Sequence, residues 1–353
     1  MPRSRRLMAR SGAPCKDKTK RCRIARARRA RHCAHVLPVQ DACKRLWRLR
    51  GRKGCPDLAT MPTWRDIRGV YGRRRRALRQ ALLEPLLVGW PTLRDVVMNA
   101  LAARGHLVLC ELGDVRFFVD PSDRVVGAWL IWHGGWQRRE IDSAVEILSA
   151  ARRLPPDAVF VDVGAHIGTH TIYALRSGRF ARVVAFEPAP RNAALLARNL
   201  DANGLTHVAV IVAKAAGAAP GSAVLHLHPR NTGAHAIGAS PSLDGTARLE
   251  VPLVRVDDEL EHLGVAPESV ALVWVDVEGY EPQVLDGLAG LMPRAVPIAF
   301  EFNPRRYSAE SKARLVARLA QHYTTVHSLG RGEGTAPIGT LAAREHTDDV
   351  LVY

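Results

Sequence analysis

The sequence of 353 residues predicts an α/β fold with a mostly parallel sheet and helices on both faces. Two observations carry this prediction. Short apolar runs rich in Val and Phe, at 159–163 and 183–186, are typical of strands buried in a parallel sheet. Segments with helical periodicity, such as 191–203, alternate with these runs, which indicates right-handed β–α–β crossovers. We therefore expect a ligand site beyond the carboxyl ends of the strands.

We predict that a segment of helices and a β-hairpin, the lead-in at 61–154, precedes this alternation of strands and helices. Apolar residues at helical spacing indicate helices within 61–104. The period then changes to that of strands, and a central Gly-Asp pair predicts a hairpin over 107–119. A further helix is expected over 142–153. The double proline that follows it marks the start of the main domain, 155–353.

The remaining strands and helices of that domain follow from the same patterns. A Gly- and Ser-rich stretch at 229–247 interrupts them and is expected to be an insertion. The predicted elements are strands at 208–212, 223–227, 249–255, 272–277, 297–301, 324–328 and 350–353, and helices at 191–203 and 312–322.

The charge of the chain is concentrated at its beginning. Residues 1–80 hold 26 Lys and Arg against 4 Asp and Glu, and the remainder holds 25 against 30, so the net charge of +17 describes the first part alone. Residues 1–60 lack a sustained hydrophobic period. Such a segment buries too little apolar surface to offset its ordering entropy, so we expect a disordered basic extension.

Other roles for this extension stay open. It could be an arm that binds nucleic acid or an anionic membrane, or an untranslated stretch, since Met61 offers a later start. A metal site is a further alternative, although the spacings fit no zinc module. Its ligands would be Cys22, His32, Cys33, His35 and Cys43.

Cysteine usage and hydropathy suggest a compartment. Five of the six cysteines lie in the extension, and Cys110 alone lies in the rest, so no disulfide framework is expected. No apolar run approaches the length of a membrane span, and no apolar signal core follows the charged N-terminus. We therefore predict a cytoplasmic protein. Its oligomeric state is not predicted.

The turn after the first buried strand carries the pattern D-x-G-x-x-x-G, from Asp162 through Gly164 to Gly168. The next strand ends in Glu187, whose carboxylate suits the hydroxyls of a ribose. A dinucleotide fingerprint would need glycines where His166 and Thr169 stand, so the tight pyrophosphate cradle is missing. This favours S-adenosylmethionine over NAD.

Within this cofactor prediction, Asp162 is expected near the ammonium group. His166 is expected to touch the cofactor through its backbone, between Gly164 and Gly168 in the turn. The sequence predicts no metal site.

Residues 105–353 resemble the FkbM-type S-adenosylmethionine-dependent methyltransferases. The resemblance implies a class I methyltransferase sheet with an antiparallel strand near the C-terminus, and transfer of a methyl group to a hydroxyl of a small molecule or glycan. One position departs from the family, which usually has Lys where this chain has Trp274. The segments that carry the resemblance are 161–168, 185–190, 195–200, 231–233 and 275–281.

Methyl transfer requires a positioned acceptor and a group that removes its proton. Asp276, Glu278 and Glu301 are acids at the ends of two predicted strands. Trp274, Asp276 and Glu278 alternate and are expected to share one face of a strand. We predict that Asp276 positions the reactants and that Glu278 accepts the proton. The alternative is that both acids only bind loop amides or hold the cofactor.

The acceptor is expected to contact Asn231 and Gly233 in the insertion, which would form a lid, and Glu301. An ordinary turn is the simpler interpretation of that segment. Trp129, Trp132 and Trp136 could stack on a sugar, but burial in the core is the more common role of such residues.

Two other functions remain open at this stage. One is an RNA methyltransferase guided by the basic extension, although the net negative charge of the remainder opposes phosphate binding. The other is a degenerate cofactor-binding domain, suggested by Trp274.

Overall fold

The computed structural model describes residues 91–238 and 245–353. The predictions for the basic extension at 1–60 and for the lead-in before Pro91 concern residues outside this part. The described residues form helices and three β-sheets. The strands are β1 Val108–Leu112, β2 Val115–Val119, β3 Val159–Val163, β4 Arg182–Phe186, β5 Ala209–Val212, β6 Ala215–Ala216, β7 Gly221–Leu227, β8 Ala236–Ile237, β9 Ala247–Val254, β10 Val270–Val275, β11 Ile298–Phe302, β12 Thr325–Ser328, β13 Gly334–Pro337 and β14 Asp348–Val352.

Helices cover both faces of the main sheet, so its strands are apolar on both sides. The helices are α1 Pro91–Ala102, α2 Val126–His133, α3 Arg138–Ala150, α4 Thr169–Arg176, α5 Pro190–Ala202, α6 Val256–His262, α7 Glu281–Asp286 and α8 Ala309–Ala320. Helices α3, α4 and α5 pack with the β1–β2 hairpin on one face, and α6, α7 and α8 pack on the other.

The main sheet has eight strands in the order β13-β12-β14-β11-β10-β3-β4-β5. Strands β5, β4, β3, β10 and β11 run parallel. Strand β14 is antiparallel to both of its neighbours, β11 and β12. The reversal of strand order beside β3 opens a crevice at the carboxyl edge. The predicted α/β fold of the class I methyltransferase type is confirmed.

A second sheet, in the order β6-β9-β7-β8, is inserted between β5 and β10. Its long strands β7 and β9 pair antiparallel over seven residue pairs. Strand β6 follows β5 after two residues and pairs with β9. This connection places the inserted sheet at the carboxyl edge of the main sheet, beside the crevice.

The lead-in is attached to the main domain by two side-chain amides, Asn199 of α5 and Asn203 directly after it. Asn199 Oδ1 accepts a hydrogen bond from the backbone N–H of Phe118, at 2.6 Å, and Asn203 Oδ1 accepts one from Arg116, at 3.0 Å. Both amides also donate to carbonyls of β2. An edge of the hairpin is thereby hydrogen-bonded to a helix instead of to another strand. No helix in the described ranges is long and apolar enough to cross a bilayer.

Candidate active site

The turn after β3 approaches the end of β10 more closely than a side chain would allow. Gly164 has a φ of 91°, and a Cβ placed on it would lie 1.9 Å from the backbone oxygen of Asp276. Gly168 also has a φ of 91° and precedes α4, where a Cβ would lie 2.4 Å from Leu196 Cδ1. The first glycine therefore permits the approach of two loops, and the second permits the packing of α4 against α5.

Glu187 is the anchor of this turn. Its side chain is almost fully buried, with the residue 4% exposed, at the carboxyl end of β4. Oε2 accepts a hydrogen bond from the backbone N–H of His166 at 2.8 Å, and Oε1 accepts one from Ala189 at 2.8 Å. Burial raises the pKa of this carboxyl to about 7, against the opposing effect of these amides. The carboxylate is thus held in one orientation.

His166 adopts a left-handed backbone conformation, with a φ of 51°. Its N–H is already given to Glu187, so the backbone donor of this residue is not available to a ligand. The ring Nε2 lies 2.8 Å from Thr232 Oγ1, and burial lowers the pKa of the imidazole to about 3, so the ring is neutral.

Asp162 lies behind the turn. The residue is 0% exposed, and its side chain points toward the layer of α4, because it lies two residues after Phe160 on β3 and so shares its face of the sheet. Oδ2 accepts a hydrogen bond from Thr171 Oγ1 at 2.5 Å, while burial raises the pKa of the carboxyl to about 7. The structure does not bring this carboxylate to the cavity, contrary to the predicted place near the ammonium group.

Trp274 stands directly beside Asp162 in the β3–β10 register. It is fully buried, and its ring centroid lies 4.7 Å from that of His170. His170 Nε2 in turn lies 3.0 Å from Gln137 Oε1. The residue at the position of the family lysine is therefore a core side chain under α4.

An open cavity lies at the carboxyl ends of β3, β4 and β10. The predicted residues Gly164, His166 and Glu187 line one side. Apolar side chains of the inserted sheet, Leu225 and Ile237, line another. The site thus combines a fixed carboxylate with an apolar wall.

Asp276 lines this cavity, but Glu278 does not. Strand β10 ends at Val275, so the expected alternation of the acids along one strand face is wrong. Glu278 has a φ of 60° and forms an ion pair with Arg306. Gly279 follows with a φ of 106°, which turns the chain away.

Glu281 explains where the strand stops. Its Oε1 accepts hydrogen bonds from the N–H groups of Val277 and Gly279, both at 3.1 Å, and its Oε2 accepts one from the Tyr307 hydroxyl at 3.0 Å. A buried carboxylate that binds loop amides fixes an irregular loop instead of a sheet extension. Binding of loop amides is the alternative role that the sequence suggests for Asp276 and Glu278.

The carboxyl of Asp276 is surrounded by negative charge. Its pKa is raised well above its usual range, first by burial and then by Glu301, Asp349 and Glu281, with Arg306 acting in the opposite direction. Burial and the same kind of repulsion raise the pKa of Glu301 to about 8. Both groups are therefore stronger bases than an ordinary carboxylate.

Asn231 and Gly233 form a short 3₁₀ turn at the cavity. The Asn231 side chain accepts a hydrogen bond from the N–H of Gly233 at 3.2 Å, as expected of an ordinary turn. Gly233 and the intervening Thr232 line the cavity. Asn192 on α5 binds the carbonyl of Thr232 at 3.0 Å, so the turn is attached to the main domain.

Several residues of the site carry no recognisable sequence motif. Asp123, Gln137, Asn192 and Thr232 are polar residues in loops or helix ends, and their partners are far away in sequence. The only local signal is that Asp123 precedes α2 and binds the N–H groups of Val125 and Gly127.

The aromatic residues of α2 are divided between core and surface. Trp129 is 46% exposed and lies against the ring of His133, with centroids 4.1 Å apart. Trp136 contacts Trp129 edge-on and is partly buried. Trp129 therefore departs from the expected place in the core. Among the described residues, no group of three or more His, Cys, Asp or Glu side chains is placed to hold a metal ion.

Comparisons with known proteins show that the chain is similar to methyltransferases. It is 28% identical over 151 residues to Methyltransferase 1 of Beauveria bassiana, covering 38% of this chain and 59% of that protein. It is 30% identical over 160 residues to Methyltransferase sdnD of Sordaria araneosa, covering 38% and 62%. The chain thus spans about 60% of the length of these curated relatives.

A solved structure of an S-adenosylmethionine-dependent O-methyltransferase from Thermotoga maritima is 12% identical, with a TM-score of 0.32, covering 60% of this chain and 64% of that chain. Residues 162–317 match the model of the Methyltransferase FkbM domain. This match confirms the resemblance found in the motifs of the chain.

Proposed function

We propose that the cavity binds S-adenosylmethionine and that the protein methylates a hydroxyl oxygen of a small molecule or glycan. The observation that carries the proposal is the fixed carboxylate of Glu187 at the end of β4 and at the wall of the cavity. Oε1 accepts hydrogen bonds from the Ala189 N–H and from the Asn192 side chain at 3.5 Å, and Oε2 accepts one from the His166 N–H, which leaves a lone pair of Oε2 for a ribose hydroxyl.

The remaining walls suit the rest of the cofactor. Leu225 and Ile237 offer an apolar surface for a purine ring. The turn at Gly164 lacks the glycine spacing of a pyrophosphate cradle, as a cofactor without phosphates requires. When bound, S-adenosylmethionine supplies a methyl group that is already activated for displacement.

The proton of the acceptor hydroxyl needs a base at the same edge of the sheet. Asp276 lines the cavity, and its raised pKa makes its carboxylate a stronger base than an ordinary one. Glu278 is engaged by Arg306 and lies off the cavity. We therefore assign proton acceptance to Asp276, while the acceptor oxygen forms its bond to carbon as the sulfur–carbon bond breaks.

We place the acceptor on the side of the lead-in. Gln137, at the start of α3, binds Asp349 Oδ2 at 3.0 Å, and Asp349 is one of the acids that raise the pKa of Asp276. The exposed Trp129 lies on the preceding helix and contacts Trp136. Aromatic rings and hydrogen-bonding carboxylates are groups that suit a polyhydroxylated ring, which supports a glycan or a similar small molecule as the acceptor.

The test is calorimetric titration of S-adenosylmethionine into the parent protein and into Glu187→Gln. The substitution removes the charge but keeps the shape, and we expect affinity to fall by roughly 2 kcal/mol, the scale of charge-assisted hydrogen bonds in a desolvated site. Glu250→Gln on β9 is the matched control, because this carboxylate is exposed. Equal affinity of parent and Glu187→Gln, or tighter binding of NADH by the parent, contradicts the proposal.

A further inference from the structure

Four stretches of the chain that are distant in sequence meet at one side of the cavity. They are the loop after β2, the Gly-rich turn after β3, the end of β4 and the 3₁₀ turn at 232–234 of the inserted sheet. The backbone also joins two of them, since Arg124 N–H donates to the carbonyl of Arg230 at 2.7 Å. The side chains at the centre of this junction are Asp123, His166 and Thr232.

The hydroxyl of Thr232 links the other two groups. It donates to Asp123 Oδ2 at 3.1 Å, and its oxygen lies 2.8 Å from His166 Nε2. A hydroxyl has a single proton. Because that proton is given to the carboxylate, the short contact with His166 requires the ring to donate. Nε2 therefore carries the hydrogen, and Nδ1 of the neutral ring is left with a lone pair.

Asp123 is itself held in place. It is 2% exposed, and its oxygens accept hydrogen bonds from the N–H groups of Val125 and Gly127 at 3.0 and 2.9 Å. Gly233 keeps the contact tight, since a Cβ at that position would lie 3.2 Å from Val126 and 3.6 Å from His166 Cε1. The orientation of the Thr232 hydroxyl is thus fixed from both sides.

From this geometry we infer that Asp123 and Thr232 are positioning residues. They hold the His166 ring in its Nε2–H tautomer and keep Nδ1 as a hydrogen-bond acceptor for donor groups of the cofactor. His166 lines the cavity and its backbone N–H is given to Glu187, so this ring nitrogen is the group that its side chain offers to a ligand. The inference rests on the proposed binding of S-adenosylmethionine, but the tautomer is testable without any ligand.

The first measurement is a nitrogen-15 NMR spectrum of the full-length protein with labelled histidines. The signals of the His166 ring are assigned as those that disappear in His166→Gln. We expect the Nε2–H tautomer in the parent, and a mixture of tautomers in Thr232→Val, which keeps the shape of the side chain but removes the hydroxyl. Thr232→Ser should restore the parent spectrum. A parent ring that is protonated on Nδ1, or charged near pH 7, overturns the inference whether or not any variant folds.

The second measurement is the affinity for S-adenosylmethionine of the same proteins. Thr232→Val and Asp123→Asn should bind about fivefold to tenfold more weakly, the loss that follows from one misplaced hydrogen bond. Thr340→Val is the matched control, because that exposed hydroxyl donates to Pro337 at the other edge of the main sheet. An unchanged tautomer together with unchanged affinity in Thr232→Val contradicts the inference. A parent that binds no S-adenosylmethionine contradicts the proposed function instead, and the NMR result still decides the roles of Asp123 and Thr232.

Discussion

Glu301 on β11 and Asp349 on β14 stand directly opposite each other in the antiparallel register. Like charges at such a pair of positions destabilise a sheet. Within the described part of the chain, Glu301 Oε2 and Asp349 Oδ1 are buried and have no hydrogen-bond partner. Burial and neighbouring carboxylates raise the pKa of Glu301 to about 8, and burial raises that of Asp349 to about 7. The pair therefore holds protons at a pH where isolated carboxyls are ionised.

This pair predicts how stability depends on pH. A carboxyl whose pKa is raised in the folded state binds protons more tightly there than in the unfolded state. The protonated Glu301 carboxyl therefore stabilises the folded state fully at pH values below its pKa in the unfolded chain. This stabilisation is lost as the pH rises toward about 8. Glu301→Gln imitates the protonated form, so we expect its melting temperature at pH 8.5 to exceed that of the parent by about 4 °C or more.

At pH 5 the same comparison should show little difference, because Glu301 is protonated in the parent. Thermal melts at the two pH values test this, with Glu250→Gln as an exposed carboxylate control. A Glu301→Gln variant that is no more stable than the parent at pH 8.5 would show that the carboxylate is not destabilising.

Substitutions of Asp276 and Glu278, the two acids after β10, should differ in their effects on turnover. Asp276→Asn is expected to keep cofactor affinity and lower turnover by about a hundredfold or more, the usual contribution of a general base. Glu278→Gln should lose far less, because that side chain pairs with Arg306 and lies off the cavity. The measurement is methylated product by mass spectrometry with glycan and small-molecule acceptors. If the order of the two variants is reversed, the original assignment of Glu278 as the base is restored.

The contact between Gly164 and the end of β10 should not tolerate a methyl group. Gly164→Ala places a Cβ on the backbone oxygen of Asp276 in addition to the cost of a positive φ, so we expect a loss of about 3 kcal/mol in the free energy of unfolding. Gly178→Ala is the matched control, since Gly178 also has a positive φ but nothing within 4 Å of an added Cβ. Urea unfolding should show about 1 kcal/mol for the control, and equal losses would refute the steric argument.

Gln137 should matter for turnover more than for cofactor affinity. Its backbone is left-handed, with a φ of 48°, and its amide bridges His170 and Asp349 at 3.0 Å each. Gln137→Leu leaves both partners without their hydrogen bond, so we expect turnover to fall about tenfold or more. Gln321→Leu, at an exposed position after α8, is the control. A change in cofactor affinity alone would place the role of Gln137 in binding instead.

Much of the fold could be predicted, because buried parallel strands are apolar along their whole length. Strands β3, β4 and β5 match their predicted positions within one or two residues. Helix α2 was not predicted, since it is apolar on nearly every side and shows no helical period. Strand β13 was missed for the opposite reason. Its sequence of Gly, Thr, Ala and Pro has low strand propensity, and pairing with β12 determines its conformation.

The site was predictable only where a backbone motif carried it. Gly164 and Glu187 follow strands at fixed offsets, so their places could be inferred from the turn alone. Asp162 is part of the same motif, but its side chain points away from the cavity. The alternation of side chains along β3 directs it toward α4. The contact of His166 with Thr232 depends on how the inserted sheet folds back, and no local pattern reports that.

The junction at Thr232 has a consequence for the order of folding. It joins residues 109 positions apart, between Asp123 and Thr232, and 66 positions apart, between His166 and Thr232. The cost of closing such loops must be met before their contacts stabilise anything, whereas the β3–α4–β4 unit closes over a short distance. The strands that carry the Gly-rich turn can thus form early, while the ring of His166 reaches its final orientation only when the inserted sheet arrives. We therefore expect the proposed cofactor site to be completed late in folding, not at its beginning.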